Sequence, residues 1–198
     1  MARTVSLSKR TPSLSRKERP NQNGLLYPLD LVYLRAGIDI PEVKVIEPTK
    51  IPEPYRSLLV HKIDMTLTLE RHFGDRVTLR PLSTFTSGRS YFRRVLLVQK
   101  HSGHPVEMGA IRIRLDTFHA RLQSKILKNQ IPLGRILRDD KVRYESRVKS
   151  YLRVTPNDEM MGVFWMSKPK ILYGRRTEII HQQTKIGDIV EVLPLVSR

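Results

Sequence analysis

Six arginines lie within segments whose β-branched and aromatic content favours β-strands. Arginine binds carboxylates through a planar, bidentate fork and keeps its charge when it is removed from water. Because a buried charge needs a partner, arginines inside a covered sheet indicate either ion pairs or a site for an anion. As a group, opposed inward arginines suit a substrate with more than one carboxylate. The six are Arg93, Arg94, Arg112, Arg114, Arg175 and Arg176.

The segment ILYGRRTEI, residues 171–179, carries two of these arginines side by side. Successive side chains of a strand point to opposite faces, so Arg175 and Arg176 cannot have the same role. We expect one of them to face a ligand cavity. The other then pairs with an acid such as Glu178 or Glu145, or faces solvent.

One glutamate near the C-terminus lies in an apolar strand segment, Asp188 to Pro194. Two interpretations of this residue, Glu191, remain open. It forms an ion pair with an arginine of a neighbouring strand, or it is a partly desolvated carboxylate whose pKa is raised, able to bond a ligand hydroxyl. For any single strand arginine, the simple alternative to ligand binding is a surface position or a salt bridge. The acids available for such bridges are Glu107, Glu145, Glu178 and Glu191.

The elements that position these residues follow from hydrophobic periodicity. Apolar residues at helical spacing predict a helix over 55–73, ended by Gly74, and another beginning at Asp116. Two β-rich runs around the turn 101–104 predict a hairpin, and the C-terminal runs around 182–185 predict a second one. The sequence therefore predicts an α+β domain. Its core is a single antiparallel sheet of five or six strands with helices packed on one side. The strands carry apolar residues at both odd and even positions, which point to opposite faces, so we expect both faces of the sheet to be covered.

Composition divides the chain into three parts. Residues 1–23 are basic and lack an apolar period, which predicts a disordered tail. Residues 24–54 are rich in proline and predict an arm that packs over the domain, with one short helix at most. Residues 55–198 form the domain itself. No apolar run is long enough for a membrane span.

The net charge and the lack of cysteine limit the classes of function that the chain can have. The net charge is +17 in 198 residues, a field that attracts anions of any kind. The chain has no cysteine, which excludes disulfides and zinc-thiolate sites and fits a reducing compartment. We therefore expect a cytoplasmic protein, although the Arg- and Ser-rich tail also has the character of an organelle transit peptide. The sequence contains no glycine-rich phosphate loop and no histidine cluster at metal-ligand spacing.

Four motifs, in order, resemble those of chorismate pyruvate-lyases, the 4-hydroxybenzoate synthases. The first is Asp64-Met65-Thr66. The second runs from Tyr91-Phe92-Arg93-Arg94 into Gly103-His104-Pro105 and Gly109. The third is Pro132-Leu133-Gly134-Arg135, and the fourth is Leu172-Tyr173-Gly174-Arg175-Arg176-Thr177, followed by Glu191 and Pro194. The match covers residues 58–194, and Arg94 stands where the family pattern has an acid.

The resemblance implies a function and a set of site residues. The reaction would convert chorismate to 4-hydroxybenzoate and pyruvate by eliminating the enolpyruvyl group. Aromatisation of the ring drives this elimination, so we expect no cofactor and no metal. Arg93 would hold the ring carboxylate and Glu191 would meet the hydroxyl, while Met65 and Leu133 would contact the ligand, Leu133 from a flap. Arg175 or Arg176 would bind the second carboxylate or the departing pyruvyl group.

Two alternatives of other classes remain. The domain could bind an aromatic carboxylate without turnover, since effector-binding domains of GntR-type regulators resemble the lyases in fold. It could also bind nucleic acid through its positive charge. Aromatic residues make up only 7% of the chain and no stacking platform or reading helix is visible, so we expect no nucleic-acid partner.

Overall fold

The structure is a computed structural model that describes residues 24–195. The predicted basic tail, residues 1–23, lies outside the described residues. The strands of the fold are β1 (Glu42–Ile46), β2 (Val77–Ser87), β3 (Ser90–Gln99), β4 (Pro105–Arg114), β5 (Glu145–Thr155), β6 (Leu172–His181) and β7 (Thr184–Leu193). The helices are α1 (Leu29–Ala36), α2 (Tyr55–Leu59), α3 (Met65–Phe73), α4 (Ala120–Leu127), α5 (Leu133–Asp139) and α6 (Asp158–Val163).

The described strands form one antiparallel sheet in the order β1-β5-β6-β7-β4-β3-β2. This confirms the predicted α+β class and its single antiparallel sheet. The sheet has seven strands rather than five or six, and the additional strand comes from the proline-rich segment. There Val43 and Val45 alternate with polar residues, and β1 pairs with β5 at the edge of the sheet.

Helices α2 to α5 cover one face of the sheet, as predicted. Val95 and Leu97 of β3 pack there with α2 and α3, and Ile111 of β4 packs with α4 and α5. The opposite face is covered by α1 and α6, which pack on residues of the other parity such as Leu96 and Val190. Both faces of the central strands are therefore buried, which is why apolar residues occupy both parities of β3.

The predicted helix over 55–73 is two helices, α2 and α3, separated by residues 60–64. The apolar period continues through the break because Leu58 and Leu69 bury against the same core cluster. Asp64 fixes the start of α3, since its side chain accepts a hydrogen bond from the Leu67 amide. Gly74 ends α3 in the left-handed conformation, with φ of 64°.

The helix predicted to begin at Asp116 begins instead at Ala120. Asp116 lies in a short 3₁₀ turn, where its carboxylate lies 3.6 Å from Arg89 and 3.4 Å from Arg114. An acid that pairs with cations of a neighbouring hairpin does not cap the helix that follows.

Candidate functional site

A cavity of about 80 Å³ lies between the centre of the sheet and helices α3 and α5. Five of the six residues predicted for the site line it, and they come from five separate elements. They are Met65 at the start of α3, Arg93 of β3, Leu133 at the start of α5, Arg175 of β6 and Glu191 of β7. The sixth, Arg176, is not among the lining residues.

Arg93 is buried in the wall of this cavity, with 2% of its surface exposed. Within residues 24–195 it has no ion pair with any carboxylate. Its guanidinium donates to the Asn129 side chain at 3.2 Å and to the Ile131 carbonyl at 3.5 Å, and its Nε has no partner. Burial lowers the pKa of Arg93 to about 10, which still leaves it charged at neutral pH. The cavity therefore contains one positive charge that the described residues do not neutralise.

Arg175 and Glu191 form a buried ion pair across β6 and β7. Arg175 Nε lies 2.5 Å from Glu191 Oε2, and the two residues are 2% and 6% exposed. Their positions are paired directly in the strand register. This agrees with the first interpretation of Glu191 from the sequence, an ion pair with a neighbouring strand arginine. The pair brings no net charge to the cavity.

Arg175 also closes the break between α2 and α3. Its Nη1 donates to the carbonyls of Leu59 at 3.0 Å and His61 at 3.3 Å. Carbonyls at a helix end lack intrahelical partners, and a cation there satisfies them. The pKa of His61 is lowered, mainly by burial and then by the charge of Arg175, so the imidazole is neutral at pH 7. Guanidinium nitrogens used in this way are not free to bind a second ligand carboxylate.

Two glycines lie at the site, Gly109 in the cavity lining and Gly174 on the opposite face of the sheet. A Cβ on Gly174 of β6 would lie 2.3 Å from the Glu191 carbonyl oxygen, so only glycine allows β6 and β7 to approach there. Gly109 of β4 is paired with both Val95 and Glu191 in the register. Its missing side chain leaves room for the Glu107 carboxyl, whose Oε1 would lie 2.9 Å from an added Cβ.

The cavity is covered by residues 129–134, which we call the flap. Leu133 is buried, and a Cβ on Gly134 would lie 2.2 Å from Asp64 Oδ2, so the flap packs tightly on the residue that caps α3. Asp64 Oδ2 also accepts a hydrogen bond from the Tyr144 hydroxyl at 3.3 Å. Asp64 therefore joins the two helix starts that carry Met65 and Leu133.

Sequence reasoning did not identify Glu107 as a site residue and offered it only as an ion-pair partner. It is 5% exposed, lines the cavity, and forms no ion pair among the described residues. Its Oε2 has no hydrogen-bond partner. Burial raises its pKa well above the usual 4.5, and the nearby charge of Glu191 adds to this effect. The available signal was a glutamate on a strand whose neighbours indicated burial on both faces.

The other strand arginines face away from the cavity. The alternation of the strands places Arg94, Arg112, Arg114 and Arg176 on the face covered by α1 and α6. Arg94 pairs with Glu159 of α6 and lies 5.3 Å from the centre of the Tyr33 ring of α1. Arg112 lies 3.3 Å from Asp188. Arg94 and Arg112 therefore join elements of the opposite face, whereas Arg176 Nε has no hydrogen-bond partner among the described residues.

Within residues 24–195, no cluster of three or more histidine, aspartate or glutamate side chains has an arrangement that holds a metal ion. Among the helices of the same residues, none is both long and apolar enough to cross a membrane.

No protein-family model matches the sequence, and no curated protein matches it. Solved structures do match the fold. PhnF from Mycobacterium smegmatis superposes with a TM-score of 0.51 at 9% identity, over 84% of this chain and 93% of that one. A gene product of Staphylococcus aureus gives a TM-score of 0.49 at 8% identity, over 68% of this chain and 90% of that one.

A third similar structure is a ligand-binding domain from Bordetella bronchiseptica assigned to a GntR-family transcriptional regulator. It gives a TM-score of 0.44 at 11% identity, over 59% of this chain and 85% of that one. At such identities the similarity concerns the fold alone. The predicted fold class, α+β with a single antiparallel sheet, is confirmed at this level.

Proposed function

We propose that this domain binds a small cyclic carboxylate in the cavity, with the carboxylate on Arg93. The observation that carries the proposal is a buried guanidinium without an acidic partner, in the wall of a cavity lined mainly by apolar side chains. Binding sites for small molecules combine an apolar lining with a few polar groups that fix orientation. A ligand carboxylate would supply the bidentate partner that Arg93 lacks.

The shape of the site favours a flat ring. Val95, Leu97 and Leu133 bound the cavity with apolar side chains, and Gly109 adds no side chain to its floor. Such a surface suits a planar ring held between the sheet and the flap. Away from Arg93, the polar groups of the sheet include the carboxyl groups of Glu107 and Glu191, which suit a ligand hydroxyl.

A second candidate function is the chorismate lyase reaction, and one observation favours it. The four positions matched to the family site, Met65, Arg93, Leu133 and Glu191, come from distant parts of the chain and line one cavity. In this reaction the C3–O bond of chorismate breaks and the C4 proton leaves, so the ring becomes aromatic. The released enolpyruvate gains one proton and becomes pyruvate. The protein would orient the substrate and exclude water.

One experiment separates the two functions. The purified protein is titrated with 4-hydroxybenzoate by calorimetry and, separately, incubated with chorismate while pyruvate and 4-hydroxybenzoate are assayed. Saturable binding of 4-hydroxybenzoate with chorismate left intact supports the binding domain. Turnover above a protein-free control supports the lyase. Absence of both binding and turnover would overturn the proposal.

A further inference from the structure

Glu107, like Arg93, is an ionisable residue of the cavity that forms no ion pair among the described residues. It lies on β4 in the same cavity face as Gly109 and opposite Leu97 of β3. Its Oε2 is buried and makes no hydrogen bond, although the residue lines the cavity. A buried carboxyl oxygen that no protein group satisfies is costly, and a ligand atom is one way to satisfy it.

The groups that face Glu107 favour its neutral form by raising its pKa. Burial contributes most, followed by the negative charge of Glu191 on β7; Arg175 on β6 acts in the opposite direction and Asp64, before α3, adds to the first two. Because Arg175 is already committed to Glu191, its charge does little for a second carboxylate. A neutral carboxylic acid carries one O–H donor, which an ionised carboxylate lacks.

The strand register sets the distance between the two unpartnered groups. Arg93 pairs with Ile111, which is four residues from Glu107 along β4. Four strand residues span roughly 13 Å between Cα atoms. The two side chains therefore reach the cavity from strand positions well apart, and the Glu107 carboxyl extends over Gly109, where its Oε1 would lie 2.9 Å from an added Cβ.

We propose that Glu107 is a specificity residue that donates a hydrogen bond to a ring oxygen of the ligand whose carboxylate lies on Arg93. This inference rests on the proposed binding function and deepens it. The Arg175–Glu191 pair carries no net charge and Glu107 is neutral, so Arg93 provides charge for one carboxylate only. A ligand hydroxyl opposite that carboxylate accepts from Glu107, whereas a second carboxylate there would face the negative charge of Glu191.

The test compares three ligands that share one benzoate ring: benzoate, 4-hydroxybenzoate and benzene-1,4-dicarboxylate. Calorimetric affinities are measured for the wild-type protein, Glu107→Gln and Glu107→Leu. The wild type is expected to bind 4-hydroxybenzoate about tenfold more tightly than benzoate, the value of one buried hydrogen bond, and the dicarboxylate most weakly. Glu107→Gln keeps an N–H donor and keeps the preference. Glu107→Leu loses it, while its benzoate affinity stays within about twofold.

The outcomes test the proposed binding function and the role of Glu107 separately. If the wild type binds none of the three ligands, the proposed binding function fails. If it binds benzoate and 4-hydroxybenzoate equally, or if Glu107→Leu keeps the full preference, the function stands and the role of Glu107 is overturned. Retained benzoate binding shows that Glu107→Leu is folded. Should that variant not fold, Glu107→Gln decides: a preference for 4-hydroxybenzoate that it shares with the wild type supports a hydrogen-bond donor at this position, and loss of the preference in this variant overturns it.

Discussion

Arg175 and Glu191 stand opposite each other on β6 and β7, and their side chains meet at 2.5 Å between Nε and Oε2. The two charges cancel inside the cavity. As a result, the electrostatic character of the site comes from Arg93, which has no carboxylate partner among residues 24–195. An arginine already paired and an arginine still unpaired lie in the same cavity, and only the second is available to an anion.

Removing one member of the buried pair should destabilise the fold strongly. Arg175→Met leaves Glu191 buried without a cation, and we expect the free energy of unfolding to fall by about 3–5 kcal/mol. The double variant Arg175→Met/Glu191→Met should lose less than the single variant, because it leaves no isolated charge. Denaturant unfolding of both variants measures this. A double variant at least as unstable as Arg175→Met would contradict the interpretation.

Removing the unpaired cation should abolish ligand binding without loss of stability. Arg93→Met deletes the carboxylate anchor and also removes a buried charge, so the ligand-free protein should unfold at the same temperature or higher. The increase in melting temperature that a saturating aromatic carboxylate gives the wild type should disappear. Arg114→Met is the matched control, since it removes the same charge from β4 on the other face of the sheet. That variant should keep the ligand-induced increase.

Glu107 should make stability fall as the pH rises. Its pKa in the fold is well above 4.5, so between that value and the raised pKa the folded chain holds a proton that the unfolded chain has lost. Stability therefore declines with increasing pH across this interval. Glu107→Gln has no proton to lose, so its unfolding free energy relative to wild type should increase from about pH 5 to about pH 8. A constant difference would show that Glu107 ionises normally in the fold.

Two glycine substitutions should act in opposite directions. Gly174→Ala places a Cβ 2.3 Å from the Glu191 carbonyl oxygen, which forces β6 and β7 apart, and we expect a loss of about 3 kcal/mol. Gly162→Ala is the control, because Gly162 lies in α6 with no atom within 4 Å of the added Cβ. It should gain about 0.5–1 kcal/mol of helix stability. Thermal unfolding of both variants, with ligand affinity measured alongside, checks the pair of effects.

Periodicity predicted the sheet but not the break in the first helix. Leu58 and Leu69 share one core cluster, so the apolar pattern continues where the backbone does not. The sequence signal for the break was Asp64, a good N-cap residue in the middle of the pattern. The break itself is stabilised by a tertiary contact. The freed carbonyls of Leu59 and His61 accept hydrogen bonds from Arg175, which is more than a hundred residues away in sequence.

The residues of the candidate site were predicted from family motifs rather than from the local periodicity of the sequence. Strand alternation required Arg175 and Arg176 to face opposite ways, but only the packing of α2 and α3 decides which of them meets the cavity. Glu107 was taken for an ion-pair partner because acids beside strand arginines usually form such pairs. Its neighbours on the cavity face are Leu97 and Gly109, neither of which carries a charge.

The contacts of Arg93 with the flap have a kinetic consequence. The guanidinium donates to Asn129 and Ile131, and a ligand carboxylate on its Nε–Nη2 edge competes with the Ile131 carbonyl for Nη2. Entry and release are therefore exchanges of partner rather than simple encounters. We expect an association rate constant far below the diffusion limit. The residence time of the ligand should depend on how often the hydrogen bonds between the flap and Arg93 open.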